Sequence, residues 1–219
     1  MMNPKISALA LLLFVAPACK KNPVDRLVNP VSDGAVPLSS GTFLIYDDEI
    51  KTGGGLGLIP GGANQTINLS DVSEPRRTTR HTAYSWNGRA PGVDPSSHTF
   101  AGFSFLVSPD FTTFSATPAR NLSSFGYTKL RVSVRGSLAA NVSLRIEGPS
   151  TGDEAFVPAR TTLNSLNGAW QDVELTVPAG DFTNVKVFAT ISLQYAQPPF
   201  TTNPGDGGTV YIDDIRYEQ

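Results

Sequence analysis

The stretch YIDDIRY (211–217) sets two adjacent carboxylates, Asp213 and Asp214, inside a run that otherwise reads as a β-strand. Paired carboxylates suggest acid–base or metal chemistry, but strand side chains alternate between faces, so neighbours point opposite ways. Strict alternation would line up Val210, Ile212, Asp214 and Arg216 against Tyr211, Asp213, Ile215 and Tyr217. Either register leaves a carboxylate in apolar company, where burial without a partner is costly. A cation, an arginine or backbone donors must therefore meet one of them. Two further acidic groups stand at Asp47, Asp48 and Glu49 and at Asp153 and Glu154. A glycosidase needs two carboxyls about 5–9.5 Å apart across a cleft, a distance that spacing along the chain does not define.

Other catalytic arrangements are weaker. GPSTG (148–152) has the form G-x-S-x-G, but the nucleophile elbow needs a following helix and a later histidine. Both histidines, His81 and His98, precede Ser150, and Pro149 with TGDEAFV beyond it reads as a loop. The two histidines carry no metal-ligand spacing. Neither a P-loop nor a βαβ glycine fingerprint is present. A net charge of −2 supplies no field for nucleic acid.

The single cysteine, Cys19, excludes an internal disulfide and a cysteine zinc site. It ends MMNPKISALALLLFVAPAC, in which Lys5 precedes an apolar run from Ile6 to Val15, too short to span a bilayer and typical of a signal peptide. Ala16-Pro17-Ala18-Cys19 resembles the lipobox of bacterial lipoproteins. The resemblance implies a signal peptide over 1–18 and a lipid on Cys19, each buried methylene contributing about 0.8 kcal/mol to anchoring. Residue 20 is Lys and not the aspartate that resembles an inner-membrane retention signal, so the outer membrane is the expected destination. Residues 19–40 carry Pro23, Pro30 and Pro37 and read as a tether.

From residue 41 to 219 the pattern has period two. Strands are expected at 42–50, 65–69, 82–86, 100–107, 128–136, 141–148, 170–177, 185–193 and in the closing TVYIDDIRY. With 20 glycines and 17 prolines between them, about nine short strands predict an all-β sandwich in one domain. The glycine-rich GGGLGLIPGG is read as turn, and SEPRRTTRH (73–81) as a solvated loop.

Four stretches in order, FLIYDDEI (43–50), LSSFGYTKLRVSVRG (122–136), WQDVELTVP (170–178) and GGTVYIDDIRYEQ (207–219), resemble the jelly-roll, galactose-binding-like carbohydrate-binding modules. The resemblance implies a jelly-roll β-sandwich with first and last strands side by side and Trp170 in the core. It implies a structural Ca²⁺ held by Asp48 or Glu49 and by Asp213 or Asp214. The alternative is that these aspartates accept loop amides or pair with an arginine. It further implies a glycan or polysaccharide ligand. Stacking platforms are then sought at Tyr84, Trp86, Phe103, Tyr195 and Phe200, with Arg131, Arg135 or Gln194 for the hydroxyls. For each aromatic the competing role is core packing. The expected function is a membrane-anchored lipoprotein with a non-catalytic carbohydrate-binding domain. The alternatives are a lipoprotein that contacts an envelope protein, and a polysaccharide-active enzyme.

Overall fold

The computed structural model describes residues 41–50, 54–59, 65–73, 76, 79–88, 100–108, 118–153, 156–195 and 207–219. The expected signal peptide, Cys19 and the tether lie outside these, as do Arg77, His98, Glu154 and Phe200. Twelve strands occur among the described residues: β1 (Phe43–Asp47), β2 (Glu49–Ile50), β3 (Gly55–Ile59), β4 (Gln65–Asp71), β5 (His81–Trp86), β6 (Phe100–Leu106), β7 (Lys129–Leu138), β8 (Val142–Glu147), β9 (Arg160–Leu163), β10 (Gln171–Thr176), β11 (Val187–Tyr195) and β12 (Gly208–Glu218). They form two antiparallel sheets. The larger runs β10-β7-β12-β1-β2, with β5 also on β12 and β4 on β5; the smaller runs β3-β6-β11-β8-β9. This is a jelly-roll β-sandwich, and its first and last strands pair, Phe43 opposite Tyr217.

All nine expected strands are present. The first is broken at Asp48, whose φ of 61° is left-handed, so β1 turns directly into β2. Two strands were not expected. β9 is short, and β3 lies within the glycine-rich run read as turn. Gly57 sits in tight quarters there: a Cβ on it would come 3.2 Å from Leu106 Cδ1.

The inner faces meet in one apolar core. Val132, Val134, Ile212, Ile215 and Tyr217 come from the larger sheet, and Phe103, Phe105, Leu144, Ile146, Ile191 and Leu193 from the smaller. Each such side chain contributes about 1.5–3 kcal/mol on burial. Buried tyrosines bring a hydroxyl that needs a partner. Tyr217 donates to the Phe188 carbonyl across the sandwich, Tyr84 donates to Gln65 Oε1 at 2.9 Å, and Tyr46 to the Leu69 carbonyl at 3.0 Å.

Strict alternation in β12 does not hold, and the departure resolves the misplaced carboxylate. On β7, Asp213 pairs with Ser133 and Arg216 with Arg131, so Asp214 and Ile215 together face one residue. This is a β-bulge, with Asp214 at φ 51°. The extra residue shifts the parity: Val210 and Ile212 before it, and Ile215 and Tyr217 after it, all point into the core. Arg216 returns to the outer face, where it pairs with Asp214. Aspartate tolerates the left-handed region better than most residues. Replacing Asp214 by Gly and by Ala removes the same carboxylate, so the difference between the two variants reports the backbone alone. Urea denaturation is expected to find Asp214→Ala less stable than Asp214→Gly by about 1 kcal/mol.

Candidate functional site

Four of the aromatics sought as sugar platforms, Tyr84, Trp86, Phe103 and Tyr195, belong to the core instead. Tyr84 and Trp86 alternate inward on β5 and have no exposed surface; Tyr195 is 6% exposed. Trp86 packs on Tyr195 with ring centroids 5.1 Å apart, and Tyr84 on Phe103 at 5.2 Å. None can stack on a ligand while the sandwich is closed. Trp170, expected in the core, is half-buried outside the larger sheet. The parity of β10 explains this, since Val173 and Leu175 point inward and residues 170, 172 and 174 therefore do not.

Three of the four carboxylates expected to hold calcium are engaged by nitrogen donors. Asp48 Oδ1 accepts the backbone N–H groups of Thr79 at 3.0 Å and Arg80 at 2.6 Å. Asp213, fully buried, accepts the Asp214 amide on Oδ1 at 2.8 Å and the Arg76 amide on Oδ2 at 3.2 Å. Asp214 pairs with Arg216, and Glu49 is exposed opposite Asp47. Among the described residues, no three His, Cys, Asp or Glu side chains gather to hold a metal. These residues do not fit a calcium site, because amides and a guanidinium supply the positive charge that a cation would bring. The negative charge is still felt: burial, with Asp213, Asp48 and Asp47 nearby, pushes the Tyr46 hydroxyl up to about 12.

In the basic stretch read as a solvated loop, the described residues Ser73 and Arg76 are exposed but bonded to the outer face of the larger sheet. Besides its amide on Asp213, Arg76 sends Nη2 to both oxygens of Asp172, at 3.2 and 3.1 Å. Burial works against the Asp172 charge, yet the Ser133 hydroxyl and Arg76 outweigh it and hold the carboxyl below its ordinary value. Arg135 donates to the Ser73 carbonyl at 2.7 Å and lies 4.4 Å from the Tyr211 ring centre and 5.3 Å from that of Trp170. Arg131 is paired with Glu174 at 2.7 Å and Glu218 at 3.4 Å. Both arginines proposed for sugar hydroxyls are therefore occupied within this face.

Gln194 is elsewhere. On β11, Ile191, Leu193 and Tyr195 point inward, so Thr190, Ser192 and Gln194 line the outer face of the smaller sheet. In register, Gln194 lies between Phe100 of β6 and Ser143 of β8. The next row holds Gly102, Ser192, Arg145 and Thr162, and the next Ser104, Thr190, Glu147 and Arg160. The middle of this face is small and hydroxylated. Ser104 and Thr190 share a hydrogen bond of 2.8 Å, and a Cβ on Gly102 would strike the Ile191 carbonyl at 2.4 Å. The rim is different in kind. Phe100 is 45% exposed, Arg160 and Thr162 are exposed, and Arg145 reaches Gln194 Oε1 at 3.5 Å while pairing with Glu147. Phe100, Arg145 and Arg160 were not among the expected site residues. The signal was present: Phe100 has opposite parity to Phe103 and Phe105, and Ser143, Arg145 and Glu147 alternate with Val142, Leu144 and Ile146.

No family model and no curated protein matches the chain. Solved structures do. A family 30 module of a cellulosomal cellulase of Clostridium thermocellum is 12% identical, with 81% of this chain and 97% of that one covered, at a TM-score of 0.45. A family 11 module from a cellulosomal cellulase of the same organism is 13% identical over 83% and 96%, at 0.44. A xylan-binding domain of Paenibacillus barcinonensis is 8% identical over 83% and 97%, also at 0.44. All three are carbohydrate-binding modules. The likeness transfers no residue role to this chain.

His81 gives the larger sheet a measurable signature. Its ring is fully buried, meets Trp170 and Tyr211 edge-on at 5.7 and 5.3 Å, and has Nε2 3.1 Å from Asp71 Oδ1. Burial holds the imidazole below its ordinary 6.5; Asp71 opposes this and Arg135 adds to it. The unfolded chain therefore binds more protons as pH falls through 6.5, and stability is lost from there down to the folded value. Melting temperatures measured on the acid side of neutrality are expected to fall with pH, and His81→Phe to remove most of that slope.

Proposed function

We propose that the chain is a non-catalytic glycan-binding lipoprotein, anchored by Cys19 in a bacterial outer membrane. One observation carries the binding part: the outer face of the smaller sheet joins an exposed aromatic, Phe100, to the planar polar groups of Gln194 and Arg145 beside a hydroxylated floor. Pyranose rings offer C–H faces to an aromatic and hydroxyls to planar donors and acceptors, which is what this arrangement supplies. The non-catalytic reading is supported by the state of the acids. Glu147 is the carboxylate on that face among the described residues, and it is paired with Arg145. Asp48, Asp213 and Asp214 serve as acceptors within the other sheet. Among the described residues, this face therefore offers no second carboxyl of the kind that assists bond cleavage.

Calorimetry against a panel of soluble polysaccharides tests the binding site. At least one polymer is expected to bind without being cleaved. Phe100→Ala should weaken that binding about tenfold, or 1.4 kcal/mol, and Gln194→Ala should weaken it less. Neither change removes a core side chain, so the melting temperature should hold. Absence of binding across the panel, or full binding by the Phe100 variant, would reject the site. The anchor rests on the lipobox-like Ala16–Cys19 sequence. Cells fed a clickable fatty acid are expected to label the protein, and Cys19→Ser to abolish the label and release the protein from the membrane.

A further inference from the structure

The proposed glycan face is unbalanced in charge. Among the described residues its strands carry two arginines, Arg145 and Arg160, to one glutamate, Glu147. Arg145 is engaged by Glu147 and by Gln194 Oε1. Arg160, in register with Glu147 on the neighbouring strand, is exposed and has no ion-pair partner among the described residues, because Glu147 is already held by Arg145. The exposed Thr162 stands opposite Arg145, two residues beyond Arg160 on the same face of β9. A partner for this rim must bring acceptor oxygens and negative charge. The guanidinium fork matches a planar carboxylate in bidentate geometry, which a neutral hydroxyl cannot use as fully.

Resting on the glycan-binding reading, we propose that the ligand is a carboxylated polysaccharide, a uronate polymer, whose carboxylate is read by Arg160 with Arg145 beside it. The chain's own net charge is −2, so attraction to a polyanion does not come from the molecule as a whole. It must come from this local excess of positive charge.

Calorimetry of the purified full chain with polygalacturonate, and with the same polymer methyl-esterified, separates the possibilities. The free acid is expected to bind about tenfold more tightly than the ester, with a preference that shrinks as salt is added. Arg160→Gln should erase most of that preference with an unchanged melting temperature. Lys129→Gln, which removes a cation from the opposite sheet, should leave it intact. Equal binding of acid and ester, or a preference that survives Arg160→Gln, overturns the proposal. Binding to neutral polymers alone overturns it while leaving the glycan-binding reading standing. Binding to no polysaccharide overturns both.

Discussion

A carboxylate forced into the closing strand is the constraint around which the larger sheet is arranged. Asp213 is fully buried, and a buried charge must be met by donors or the fold loses several kcal/mol. Two donors are main-chain amides, one from its neighbour in the bulge and one from Arg76, 137 residues earlier in the chain. The bulge that aims the first amide also restores the inward parity of Ile215 and Tyr217. One local irregularity thus satisfies the charge and keeps the core apolar. Without it, the strand would have to choose between the two.

The second amide explains why Arg76 lies against the sheet. Once the Arg76 backbone is committed to Asp213, its side chain comes within reach of Asp172, and Arg135 reaches the Ser73 carbonyl. Tyr211, Trp170 and His81 then close around Arg135. The arginines of this face are thus engaged by its own carboxylates, carbonyls and rings. On the smaller sheet the centre is small and hydroxylated, and Arg160 stands exposed at the rim. That contrast is the ground on which the glycan site is proposed there.

Much of this was legible in the residues. Period-two runs marked nine strands, and the closing strand's discomfort with its own carboxylates was visible before any coordinates. The alternative weighed for those aspartates, that they accept loop amides or pair with an arginine, is seen in the Arg76 amide on Asp213 and in the Asp214–Arg216 pair. What escaped has physical causes. The bulge at Asp214 is one inserted residue, and a periodicity argument assumes that none is inserted. β3 escaped because its glycines carry a turn signature, although Gly57 there eases a tight contact with Leu106 of β6. Trp86 and Tyr195 were sought at the surface because aromatic type says nothing about parity, whereas counting from Tyr84 and Leu193 places both inside. Arg145 and Phe100 were missed for the same reason in reverse.

β12 comes after every other described strand, yet it pairs with β1, β5 and β7 and reaches β11 through the Tyr217 hydroxyl. Until it is made, the larger sheet is in separate pieces, with β1 and β5 lacking the strand that joins them to β7. Contacts between residues so far apart in sequence form late and slowly. The smaller sheet can pair its five strands without β12, whereas the larger sheet becomes one surface only when β12 docks.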